Sequence, residues 1–183
     1  MKTVILILAC FFLLSLTTDY TNNDKVIVWI PERKLTPNDF LGPVLPVDPS
    51  EMAATKVTIK CKPELVNGKV VFTTQALFSK EASWFKPEAK SHINILIHEQ
   101  LHFDIAELYA RYLRKYLATD KNYKTNTPED ADKMMVYIEN NFKAMESENI
   151  RYDIESDHSR NKEKQHQWEL DVAKRMKELE AYK

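Results

Sequence analysis

Residues 93–115 read INILIHEQLHFDIAELYARYLRK, and no proline or glycine falls between Pro87 and about Thr119. Ile93, Ile95, Leu96, Ile97, Leu101, Ile105, Leu108, Tyr109, Tyr112 and Leu113 recur with helical spacing, which predicts one continuous helix. Lys115 stands near its C-terminal end, where a cation suits the helix dipole. His98 and His102 are four positions apart and therefore one turn above each other, sharing a face with Leu101, Ile105 and Tyr109. That face is apolar, so both imidazoles look into the protein and can reach one metal ion.

The string His98-Glu99-Gln100-Leu101-His102 is the HExxH pattern of zinc-dependent hydrolases, in which the glutamate points toward the water that the ion activates. A chance match is the competing explanation, and it would be expected on a solvent-facing helix rather than on this apolar one. A catalytic zinc takes three protein ligands, and the helix supplies two. Asp104 and Glu107 are rotated by about 160–220° from the histidine face, so the third ligand comes from elsewhere. Leu108 stands where a metzincin would carry its third histidine, which excludes that class. His158 is the preferred third ligand, because it falls in a break in periodicity over residues 151–159 that is rich in polar groups. The alternatives are a helix-start role for His158 with Ser159 as the cap, and a second-helix glutamate (Glu129, Glu139, Glu146 or Glu148) as the ligand. His92 and His166 read as exposed.

The chain of 183 residues suffices for one ordinary domain with a core. A net charge of −1, with Lys and Glu intermixed, gives no basic patch and hence no expectation of a nucleic-acid partner. Two glycines exclude a Gly-rich phosphate loop and disfavour a turn-heavy all-β fold. A basic start followed by the apolar run 4–16 reads as a signal peptide over residues 1–18, too short to span a membrane comfortably. Residues 19–183 then form the single mature domain, expected to be secreted or periplasmic. Cys10 lies in the middle of the apolar run rather than at its end, so a lipid anchor is the less favoured reading. After cleavage only Cys61 remains, which excludes an internal disulfide and suits a small core residue.

The N-terminal half reads as strands and loops. Residues 25–30 form a short strand stopped by Pro31, and the five prolines of residues 31–52 mark an ordered surface loop. Residues 57–61 and 69–78 are strand-like and joined through Asn67-Gly68, a hairpin signal. Residues 79–87 are a connector in which Trp84 is a packing anchor. After the first helix, residues 120–127 are a polar linker, and Pro128-Glu129-Asp130 starts a second helix with the stripe Met134, Met135, Tyr137, Ile138, Phe142 and Met145. A third, charged helix covers residues 160–181 with Trp168, Leu170, Val172 and Met176 on one face. The expected class is α+β: a small antiparallel sheet, then a site-bearing helix and two more long helices.

The segment from His98 to Ile105, followed by Glu107, Ala110-Arg111 and Leu113, resembles the signature of an uncharacterised bacterial family described as predicted secreted zinc-dependent proteases. Leu35, Asp39-Phe40 and Gly42, then Ser83-Trp84, then Tyr152-Asp153, Ser156, His158, Gln165, Gln167 and Trp168 extend the resemblance over residues 33–178. Three positions depart from that signature: Pro37 replaces an aromatic residue, Ser156 a threonine and Ser159 a glycine. Serine makes harder a backbone turn that glycine would permit, which bears on the loop around His158. The resemblance implies a zincin-like fold and a Zn2+ ion held by His98, His102 and His158. Glu99 would then act as general base on a peptide or protein substrate. Tyr152 is expected to hydrogen-bond the oxyanion, and Asp153 or Asp104 to orient a ligand imidazole. The alternatives are a metal-stabilised binding or structural domain without turnover, and hydrolysis of a non-peptide amide such as a cell-wall bond.

Overall fold

A computed structural model of the chain describes residues 25–66, 69–119 and 128–183. The signal-peptide reading of residues 1–18, the Asn67-Gly68 turn and the polar linker 120–127 lie outside them. The protein is α+β, with strands β1 (Val26–Val28), β2 (Ala53–Ala54), β3 (Val57–Val66), β4 (Lys69–Ser79) and β5 (Trp84–Phe85). Three helices follow: α1 (Ile93–Thr119), α2 (Pro128–Ser156) and α3 (Lys162–Glu178).

The antiparallel hairpin β3–β4, in register from Val57↔Phe78 to Val66↔Lys69, is the body of a sheet of order β1-β4-β3. Its alternation sends Ile59, Ala76 and Phe78 to the buried face, against α1. A second, two-stranded ribbon pairs β2, just past the loop read at residues 31–52, with β5, inside the connector read at residues 79–87. Two-residue strands carry too little pattern to be read from sequence.

Helix α1 runs through the middle of the molecule, with the sheet on one side and α2 and α3 on the other. Phe103, Ile105, Leu108 and Leu113 are fully buried, each contributing about 1.5–3 kcal/mol relative to exposure. Phe103 lies 5.9 Å from Phe78, and Phe78 packs edge-on to Phe40. The second helix extends through Ser156 and the third begins at Lys162, so the break expected at 151–159 falls at residues 157–161. Asp157, His158 and Ser159 all have positive φ (49°, 48° and 73°), a left-handed turn built without glycine.

The N-terminal loop is tied to α1 by two motif residues. Gln100 accepts a hydrogen bond from the backbone N–H of Leu35 and donates to Asp104, while Trp29 Nε1 donates to Asp104 at 2.7 Å. Asp104 therefore docks the loop rather than orienting an imidazole. Gly42 allows this segment to approach the β4–β5 connection, because a Cβ there would lie 2.7 Å from the carbonyl oxygen of Glu81. One turn further along the same face, buried Glu107 accepts from Arg111, whose guanidinium lies over the Trp29 ring, and from Arg114. The same two guanidinium groups also bind the carbonyls of Met176 and Tyr182, fixing the C-terminus.

Candidate metal centre

The inward face of α1 meets the last two turns of α2. His98 and His102 are buried, and their Nε2 atoms stand 3.2 Å apart. Asp153 on α2 brings Oδ1 to 3.0 Å from each of them. Ligand atoms bound tetrahedrally at about 2.0–2.1 Å from a zinc ion stand about 3.3–3.4 Å apart, so this triangle has nearly the size of one tetrahedral face.

The outer hydrogen bonds decide where the imidazole protons sit. Asn149 donates its amide N–H to the carbonyl of Met145, which leaves Oδ1 facing His102 Nδ1 at 2.7 Å. That nitrogen must carry the proton, so Nε2 presents its lone pair. Ser156 donates its hydroxyl proton to the carbonyl of Tyr152 and turns its oxygen toward His98 Nδ1, at the longer distance of 3.5 Å. With neutral rings, two nitrogen lone pairs and a carboxylate oxygen then converge, an arrangement that calls for a cation between them. In the metal-free protein a proton answers that demand. Burial lowers the His102 pKa, but Asp153 and Glu99 outweigh it and raise it to about 9. Burial alone would raise the Asp153 pKa, yet both imidazoles hold it far below the usual carboxylate range.

His158 stands on the left-handed turn with its side chain half exposed and Nδ1 3.7 Å from Asp153 Oδ1. One ligand atom from each of His98, Asp153 and His158 lies within 4.8 Å of the other two, and this group could hold a metal ion. The residues thus fit a divalent cation, with Asp153 closer to the two helix imidazoles than sequence reasoning placed it. Asn149, which sets the His102 tautomer, carried no motif signal at all.

Glu99 is buried, and its Oε2 has no hydrogen-bond partner among the described residues. It lines a cleft of about 370 Å³ together with His98, Asp153, His158, Met52 and Trp84. Tyr152 lies beneath the cluster, its ring stacked on His98 at 4.5 Å and edge-on to His102 at 5.1 Å. It is fully buried, its hydroxyl has no partner, and it lines neither this cleft nor the neighbouring one beside His102. Burial, with the negative charge of Glu99 nearby, pushes its pKa well above the ordinary phenol value.

The second-helix glutamates lie elsewhere. Glu148 binds Tyr109 and Arg175, Glu139 pairs with Lys143 at the surface, and Glu129 is exposed. Glu146 is also exposed and lines the cleft beside His102. His92 and His166 are exposed, as expected. No helix among the described residues is long and apolar enough to cross a membrane. The chain matches no family model, no curated protein and no solved structure, so the resemblance noted from sequence is carried by its motif residues alone.

Proposed function

We propose that this chain is a zinc-dependent metallopeptidase of zincin-like architecture, exported from the cytoplasm by its apolar leader, as the resemblance to predicted secreted bacterial proteases implies. The observation that carries the reading is the convergence of His98 Nε2, His102 Nε2 and Asp153 Oδ1 within 3.0–3.2 Å beside a buried, unpartnered Glu99. His98, His102 and Asp153 would hold the zinc, with His158 at the rim as a further ligand or as the partner that orients the Asp153 carboxylate. Bound there, zinc would supply Lewis acidity, lowering the pKa of its water toward neutrality and polarising a carbonyl.

The protein's own groups do the rest. Glu99 accepts the proton of the attacking water and delivers it to the departing amine. A free carboxylate oxygen in a buried site suits that task, because no competing donor has to be displaced. Asn149 and Ser156 hold the imidazole protons on the outer nitrogens. Tyr152 is a positioning residue whose ring holds both imidazoles from below.

A second reading is a metal-stabilised domain without turnover. His158 favours it, since a fourth protein ligand would close the site as in structural zinc centres. One experiment separates the two. Wild type and Glu99→Gln are purified and compared for zinc content and for hydrolysis of a mixed protein digest. Equal zinc with hydrolysis lost only in the variant is the expected result. Equal zinc and equal inactivity toward broad substrates would establish the non-catalytic domain instead.

A further inference from the structure

Two clefts meet at the metal cluster, one on each side of it. The cleft beside His98 and Glu99 is lined by Leu45, Val47, Met52 and Trp84. The cleft beside His102, of about 440 Å³, is lined by Val57, Phe142, Met145 and Ile150. Thr55 and Asp153 belong to both. A ligand long enough to fill both clefts must therefore pass over the carboxylate that closes the His98–His102 triangle.

Each cleft displays apolar side chains that the fold leaves uncovered. Leu45 is 69% and Val47 95% exposed on one side, and Ile150 is 55% exposed on the other. Apolar groups exposed along a groove mark a place where a ligand covers them.

The backbone along the cleft beside His102 is also poised for an extended partner. β3 is an edge strand in the order β1-β4-β3. The N–H of Ser79 donates to the carbonyl of Lys56, so Lys56 faces β4. Strand alternation then turns the N–H and C=O of Val57 toward the open edge, at the cleft beside His102 and two residues from Thr55, which lines both clefts. Unpaired strand groups of this kind accept an added extended chain through main-chain hydrogen bonds.

We infer that the site is built to cleave internal bonds of an extended, unfolded polypeptide carrying apolar side chains on both sides of the scissile bond. Leu45 and Val47 select the residues on one side, and Phe142 and Ile150 those on the other. In the reaction the amide C–N bond breaks; the hydroxyl of water goes to the carbonyl carbon and its proton goes, through Glu99, to the nitrogen. This inference rests on the metallopeptidase reading and adds to it the class of substrate.

The test uses full-length zinc-loaded protein and synthetic peptides acetylated and amidated at their ends, lengthened by apolar residues on one side or the other of the cut. Blocked peptides are expected to be cleaved internally, with kcat/KM rising as residues are added on each side. Ile150→Asp should lower kcat/KM about tenfold or more for peptides extended on one side only, and Leu45→Asp for those extended on the opposite side. Both residues are exposed, so zinc content and Tm stay at wild-type values. Cleavage restricted to the terminal residue of unblocked peptides would overturn the inference while leaving the metallopeptidase intact. Two variants that act on the same side would do likewise. No hydrolysis of any peptide would remove both.

Discussion

Asp153, in the last full turn of α2, holds Oδ1 3.0 Å from Nε2 of His102 on α1. This contact joins the two long helices at the candidate metal centre and gives Asp153 a different place from His158. The carboxylate closes the imidazole triangle, whereas His158 Nδ1 stands 3.7 Å from that carboxylate and half in solvent.

The ligand set therefore has an order. Asp153→Ala should weaken zinc binding by more than the 10–100-fold typical of an outer hydrogen-bond partner. His158→Ala should weaken it by less than Asp153→Ala does. Competition titration against a chromogenic chelator measures both. A reversed ranking would restore His158 as the third ligand and reduce Asp153 to an orienting group.

Asn149 gives a second measurement. Its amide is held by the Met145 carbonyl, and its oxygen keeps the proton of His102 on Nδ1. Asn149→Leu preserves approximate volume and removes the acceptor, so zinc affinity should fall about 10–100-fold. Nitrogen chemical shifts of the metal-free protein, recorded above the His102 pKa of about 9 so that the ring is neutral, should show that His102 no longer favours a single tautomer. A zinc affinity unchanged by the substitution would show that the ring is fixed by packing against Tyr152 alone.

The left-handed turn after α2 is a place to gain stability. Ser159 has φ of 73°, a region that costs a residue with a Cβ about 1–2 kcal/mol. Ser159→Gly relieves that strain and at the same time frees the unfolded chain, which offsets part of the gain. A net stabilisation of about 0.5–1 kcal/mol is expected in urea unfolding of the metal-free protein. A loss of stability would mean that contacts of the Ser159 side chain outweigh the backbone term.

The two halves of the site differed in how plainly the sequence announced them. Helix α1 was legible because its apolar residues keep the 3.6 period over many turns and two histidines fall on the same face. The sheet hairpin was legible from alternation and the Asn67-Gly68 signal. The end of α2 was not: Asp153, Ser156 and His158 are polar and crowded together, so a stretch that turns polar groups inward toward the metal cluster read as a break. Asp153 is thus helical, one turn from Asn149, and both point at His102. Gln100 and Asp104 stood inside the motif, yet their contacts lie on the opposite face of α1, where they secure Leu35 and Trp29. A motif string records helix neighbours, and it mixes residues that face the metal with residues that hold the scaffold. The β2–β5 ribbon, two residues on each strand, falls below any periodic signal.

The same loop offers a test of pH dependence. Asp39 sits in a short 3-10 turn, accepting from the Arg33 guanidinium at 2.6 Å and from the backbone N–H and hydroxyl of Thr36. Burial pushes its pKa up, but Arg33 and Thr36 outweigh burial and hold it below the ordinary 3.8. A carboxyl whose folded pKa is depressed contributes stability above its unfolded pKa and loses it as the pH falls through the folded one. Asp39→Ala should therefore cost about 1 kcal/mol at neutral pH, a value that allows for the partly exposed Arg33. The gap between wild type and variant should stay constant down to about pH 4.5 and narrow steadily below 3.8. Urea midpoints measured from pH 7 to pH 2.5 decide it. A gap that does not narrow in acid would assign the loss to packing and to hydrogen bonds that survive protonation, and the loop would then be held in place by Trp29 and Leu35 against α1 rather than by charge.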